Sequence, residues 1–191
     1  MRKVLLAIAV LNLLSFPSLA QDRLEVFGGY QYLHIGGVSG SNPNPWLING
    51  EGFNGWNVAA TANLTRYFGI EGNFGGAYNT INNVDLKVYH YAGGPVVFAH
   101  VGRLKPFAHV LFGGIHLGAS VPPGISASTN GYTIMAGGGI DAKVNRLLAI
   151  RVGEVDWLYY NLGSTTANGE SIPGVSGSNN VRFSTGIVLR F

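Results

Sequence analysis

The sequence predicts an all-β fold: an eight-stranded antiparallel up-and-down transmembrane β-barrel over residues 21–191, behind a cleaved signal peptide at residues 1–20. Three observations predict it. Stretches of period-two alternation recur along the chain, so one face of each strand is oily and the other wet. Charged residues make up 11% of the chain, against roughly a quarter in ordinary globular proteins. Yet after residue 20 no stretch approaches the roughly 18 apolar residues of a transmembrane helix, so lipid-facing strands must absorb the apolar surface. Finally, the connections between strands alternate long and short, the hairpin plan of a membrane barrel.

The first 20 residues have the layout of an export signal. Arg2 and Lys3 supply the positive start, Val4 to Phe16 are apolar apart from Asn12 and Ser15, and Pro17-Ser18-Leu19-Ala20 supplies the small residues of a cleavage site. Without this segment the chain carries ten Lys and Arg against nine Asp and Glu, a net charge of +1. The pI of about 9.3 therefore implies no nucleic-acid footprint. The chain has no Cys, so neither a disulfide framework nor a lipoprotein anchor is expected.

The strands follow in order. The first runs from Leu24 to about Gly37, with Val26, Gly28, Tyr30 and Tyr32 on one face and Glu25, Gly29 and Gln31 on the other. A long loop, Val38–Phe53, leads to the second strand, Asn54–Leu64. There Trp56, Val58, Ala60 and Ala62 alternate with Asn57, Ala59, Thr61 and Asn63. A turn at Thr65–Phe68 reaches the third, Gly69–Tyr78, with Glu71 and Asn73 on its wet face. The fourth, Leu86–Val101, and the fifth, Phe107–Ser120, are rich in β-formers but leave their inward parity open. Pro95 cannot donate to a ladder, and a closed barrel has no free edge, so Gly93-Gly94-Pro95 predicts a bulge or kink. A short basic turn with Arg103 and Lys105 joins these two strands.

A loop at Val121–Gly131 precedes the sixth strand, Tyr132–Val144, where Asp141 and Lys143 oppose the apolar face. The seventh, Leu148–Leu162, slips phase near Gly153, which predicts a bulge that leaves Arg151 and Asp156 both inward. The longest loop, Gly163–Asn179, precedes the eighth strand, Asn180–Phe191. Val181, Phe183, Ile187, Leu189 and Phe191 share its oily face, and Arg182, Ser184, Gly186 and Arg190 its wet one.

Aromatic side chains check this plan. Tyr32, Trp56, Tyr78, Tyr132, Trp157 and Tyr159 fall near one end of their strands, and Tyr67, Phe68, Phe98, Phe107 and Phe191 near the other. Two belts suit rings that bridge hydrocarbon and headgroups.

An eight-stranded lumen is just wide enough for side chains to fill it. Glu25, Glu71, Asp141, Glu154 and Asp156 against Lys143, Arg151, Arg182 and Arg190 nearly cancel, which reads as an ion-pair plug; the alternative is a narrow pathway gated by those pairs. His90 with His116, and His100 with His109, offer at most two ligands a pair, too few for a metal site. His116 and Ser120 share a strand top but have no closely placed acid to complete a relay. No catalytic residue, cofactor or metal is assigned, and the chain is not expected to be an enzyme.

Phe27-Gly28-Gly29-Tyr30-Gln31-Tyr32-Leu33, the Gly94-Pro95 step and the Val181–Phe191 strand ending on Phe resemble the small bacterial outer-membrane β-barrels, of the kind seen in the OmpA barrel domain and OmpX. The chain departs from the OmpA pattern in that no peptidoglycan-binding domain is expected after the barrel, so wall tethering is not implied. The resemblance implies an outer-membrane location in a Gram-negative bacterium, outer-membrane lipid and lipopolysaccharide around the wall, and engagement of the barrel-assembly machinery by the last strand. The function it implies is structural and surface-interacting, with external loops presented to an unidentified extracellular partner. Trp46, Leu47 and Ile48 in the first loop are the contact candidates. A porin-like narrow channel for small solutes or ions, and a soluble exported barrel of lipocalin type, are the alternatives.

Overall fold

A computed structural model describes residues 23–36, 50–81, 84–121, 125–163, 165–167, 170–172 and 175–191. The signal segment and the Trp46, Leu47 and Ile48 trio lie outside these residues. The strands are β1 (Leu24–Ile35), β2 (Glu51–Asn63), β3 (Phe68–Ile81), β4 (Val84–Phe98), β5 (Leu104–Val121), β6 (Ile125–Lys143), β7 (Leu148–Leu162), the short β8 (Thr165–Ala167) and β9 (Glu170–Ile172), and β10 (Val175–Arg190). Eight of them close into a barrel in the order β1-β10-β7-β6-β5-β4-β3-β2, and β8 and β9 pair as a separate hairpin. All barrel pairs are antiparallel. The eight-stranded up-and-down plan is thus the observed one. The seam closes where Leu24 and Phe191 exchange backbone bonds of 3.2 and 2.8 Å.

Local chemistry fixes the three short turns. Thr65 Oγ1 accepts from the backbone N–H groups of Tyr67 and Phe68 at 3.3 and 3.0 Å. Asn145 Oδ1 does the same for Leu147 and Leu148, both at 2.8 Å. Such side-chain turns suit short polar residues. The β4–β5 turn instead uses Gly102 at φ +62°, a left-handed conformation that glycine adopts without strain.

Strand parity sorts the side chains. Ile70, Phe74, Tyr91, Val97, Phe112, Ile150, Val155 and Ile187 are all exposed on the outer wall, Tyr91 by 60% and Phe112 by 57%. Arg182 is fully buried on the inside. The register shift opposite Val152 and Gly153 is the expected bulge, and Arg151, Glu154 and Asp156 all face inward across it. Of the bulge or kink expected at Pro95, the bulge does not form. Pairing of β4 with β5 lapses at Gly94 and Pro95 and resumes at Val96↔His109 in the same register, so no residue is inserted. A missing donor removes ladder bonds without requiring a bulge.

The upper strands run further than the sequence suggests. The expected loop at Val121–Gly131 is largely strand: Ile125 to Gly131 continue β6 and pair with β5. With 18 and 19 residues, β5 and β6 exceed the roughly 9–11 residues that cross a bilayer, so their hairpin projects by on the order of eight residues. β10 likewise begins at Val175, inside the loop expected at Gly163–Asn179.

Along this extension polarity inverts. In the lower wall apolar groups face out and ionic groups face in. Beyond Tyr78, Thr80, Asp85, Lys87 and Ser120 face out, while Leu33, Ile35, Phe53, Leu86, Val88, Ile115, Leu158 and Leu162 pack inside as one cluster. That is the pattern of a wet-walled barrel with its own oily core.

Phe112→Arg, in the lower wall, is expected to lower unfolding stability in lipid vesicles by about 2–4 kcal/mol, and Ser120→Arg, above it, by under about 1 kcal/mol. Equal costs from urea titration would contradict the assigned lipid band.

Candidate functional site

The barrel interior holds three tiers. In the lowest, Glu25 accepts from Lys105 Nζ at 2.7 Å to each oxygen and from Arg190 Nε at 3.3 Å. Lys105 Nζ also lies 3.9 Å over the Phe98 ring. In the next, Arg151 donates to Asp141 at 2.8 and 3.2 Å and to Glu154. Its guanidinium carbon lies 4.3 Å from the ring centroids of both Phe27 and Phe107. Cation–π contact of this kind gives a desolvated guanidinium apolar partners beside its paired carboxylates.

The third tier centres on Arg182. Its Nε and Nη2 reach Asp156 Oδ2 at 2.8 and 2.5 Å, and Nη2 also reaches Glu154 Oε1 at 2.7 Å. Its Nη1 donates to Asn73 Oδ1 and His90 Nε2, each at 2.9 Å. His109 stands between Asp156 Oδ1 at 2.7 Å and Glu71 Oε1 at 3.3 Å. Thr61 and Asn73 donate to Glu71 at 3.3 and 3.4 Å, and Asn57 donates to Asn73 and Gln31 at 3.1 and 3.4 Å. Gly137 makes room here, because a Cβ would collide with the Asp156 carboxylate and the Val155 carbonyl. Above this tier lies the apolar cluster, which includes Leu111, Met135 and Leu158.

The structure therefore brings together Glu25, Glu71, Asp141, Glu154, Asp156, Arg151, Arg182 and Arg190. Lys143 departs from expectation: it has inward parity but sits exposed at the turn-end mouth, with no ion pair among the described residues. Lys105 takes the place beside Glu25 instead. It was expected in a turn, but β5 starts at Leu104, and counting back by twos from His109 through Phe107 puts Lys105 inside. Phe98 and Phe107 are corrected by the same parity: both are buried in the lumen rather than in a lipid belt.

Tyr32, Trp56, Tyr78, Tyr132 and Trp157 are exposed on the outer wall, and Tyr67, Phe68 and Phe191 are exposed at the turn end. Neighbouring rings of the outer set are linked, Trp56 Nε1 donating to Tyr78 Oη at 3.2 Å and Tyr78 Oη to Tyr89 Oη at 3.3 Å.

Chemistry needing a free ligand position finds little support. His109, Glu154 and Asp156 approach one another closely enough to ligate an ion, but the Arg182 guanidinium already bridges the two carboxylates. His90 faces in and His116 out, while His109 faces in and His100 lies in the turn, so neither histidine pair assembles. Ser120 lies opposite Asp85, but His116 is four residues down the strand, about 13 Å away, and bonds Asn130 at 2.7 Å.

No protein-family model and no curated protein sequence matches the chain. Among solved structures it is similar to Neisserial surface protein A, with TM-score 0.65, 10% identity and coverage of 91% of this chain and 100% of that one. Ail, the attachment invasion locus protein of Yersinia pestis, matches with TM-score 0.53, 16% identity and coverage of 88% and 97%. The outer membrane protein OprG from Pseudomonas aeruginosa matches with TM-score 0.55, 10% identity and coverage of 88% and 95%. By fold, then, the protein is a small closed eight-stranded β-barrel of the kind these outer-membrane proteins share.

Arg182→Met strands two buried carboxylates and is expected to cost about 3–5 kcal/mol, whereas Lys143→Met should change stability by under about 0.5 kcal/mol. Adding Glu154→Gln and Asp156→Asn to Arg182→Met should recover at least about 1 kcal/mol of the loss. Unfolding midpoints in detergent check all three.

Proposed function

We propose that the protein is a closed outer-membrane barrel with a structural and surface-interaction role, which carries its β5–β6 hairpin and its connecting loops outside the membrane. The observation that carries this reading is the doubly filled lumen. Paired ions occupy its lower half, and packed apolar side chains its upper half. A solute would have to break buried ion pairs and then cross an oily plug, each costly step opposing conduction.

Residues 1–20 act as the export signal, and the β10 strand with Phe191 presents the terminal pattern that the barrel-assembly machinery engages. Trp46, Leu47 and Ile48 are the loop contacts offered to an external partner. The aromatic rows set the barrel in the bilayer, with lipopolysaccharide against the upper row. The elevated hairpin supports surface display, because its length exceeds what the bilayer requires.

In planar bilayers at neutral pH the folded barrel is expected to give no resolvable unit conductance. Steady unit currents would contradict the surface-display reading in favour of the narrow channel. Recovery of the mature chain in the aqueous fraction without detergent would favour a soluble barrel instead.

A further inference from the structure

The short turns carry Arg66, Arg103 and Arg146 and no acid, an asymmetry that the lumen network does not absorb. Two further arginines, Arg23 and Arg190, reach the same rim. Arg23, Arg66, His100 and Arg190 line one cleft of about 420 Å3, with Leu64 and Phe98 among its apolar walls. That volume falls in the roughly 300–1,000 Å3 range of small-molecule sites.

Hydrogen-bonded backbone holds the two outermost arginines in place. The Arg23 carbonyl accepts from Asn63 N at 2.8 Å. Arg66 sits in the turn pinned by Thr65, beside Tyr67, whose ring lies 5.7 Å from its guanidinium. The cleft is therefore a formed feature of the rim.

Its field is positive. Burial, then Lys105, Arg66 and Arg190, hold the His100 imidazole below its ordinary range, with Glu25 the opposing carboxylate. Glu25 is already shared between Lys105 and Arg190. The side chains that line the cleft include three arginines and His100 and, among the described residues, no carboxylate. Guanidinium forks match phosphate oxygens in geometry as well as charge.

Height decides the ligand. Tyr67, Phe68 and Phe191, exposed around the turn end, mark the interface where hydrocarbon gives way to headgroups. Leu64, just past the end of β2, is exposed and gives the cleft an apolar side. We propose that the Arg23–Arg66–His100–Arg190 cleft binds the phosphodiester headgroup of a phospholipid in the leaflet that meets the turns, with glycerol and acyl carbons against Leu64. This rests on the membrane-embedded reading above. Free inorganic phosphate shares the chemistry but would not use the apolar wall.

The test is native mass spectrometry of the folded barrel released from detergent micelles containing phosphatidylglycerol, diacylglycerol or inorganic phosphate. Heat-modifiable gel migration, run first, reports folding separately; failure there would sink the membrane-barrel reading, whereas lipid adducts address the cleft. The wild-type barrel is expected to retain phosphatidylglycerol and not diacylglycerol. Retention should fall at least fivefold in the folded double variant Arg23→Gln/Arg66→Gln. Arg103→Gln/Arg146→Gln loses the same charge outside the cleft and should stay within twofold of wild type. Equal loss in both double variants, full retention in the first, equal retention of diacylglycerol, or adducts of inorganic phosphate alone would each overturn the proposal.

Discussion

A closed ring of strands in hydrocarbon leaves five carboxylates no place but the interior, and the Arg182 guanidinium is what makes that crowding tolerable. It joins Glu154 to Asp156 and, through Asn73 and His90, ties β10 and β7 to β3 and β4 across the lumen. Arg151 and the Lys105–Glu25–Arg190 group repeat the solution nearer the turns. Against the five acids stand four permanent cations, with His109 lodged between Glu71 and Asp156. Breaking one member of such a set leaves its partners buried without compensation, which is why the tiers behave as a unit.

The second organising fact is the exchange of polarity along the barrel axis. Within lipid the wall must be apolar, so the interior is free to be ionic. Above lipid the wall meets water, and the interior must supply the hydrophobic driving force that lipid no longer requires. The β5–β6 hairpin shows this most clearly, with Leu111 and Ile115 inside and Ser120 outside on one strand. The result is a lipid-facing barrel continuous with a short wet-walled one.

Most of this architecture was legible in the chain. The alternation from Val181 to Phe191 placed Arg182 and Arg190 inside, and the phase slip at Gly153 revealed the bulge, because a two-residue period admits no other way to turn Arg151 and Asp156 to one face. What escaped did so for physical reasons. Ser128 and Asn130 look like loop residues only under the rule that barrel walls are oily, a rule that lapses above the bilayer. Glycine and aromatic residues alternate so loosely in β4 and β5 that their parity was open, and Lys105, Phe98 and Phe107 were misplaced with it. Lys143 shares inward parity with Asp141 but stands at the mouth, where water satisfies it more cheaply than an ion pair.

The most direct test of the polarity exchange uses the absence of native Cys, since every introduced thiol is then unique. Single cysteines at Val110, Leu111, Phe112, Ile115, His116 and Ser120 along β5 would be exposed to a water-soluble maleimide in folded, vesicle-embedded barrels. Rapid labelling at His116 and Ser120 alone is the result expected, with Val110 and Phe112 shielded by lipid and Leu111 and Ile115 by packing. Labelling of Leu111 and Ile115 as fast as Ser120 would mean a wet, open lumen and would contradict the account.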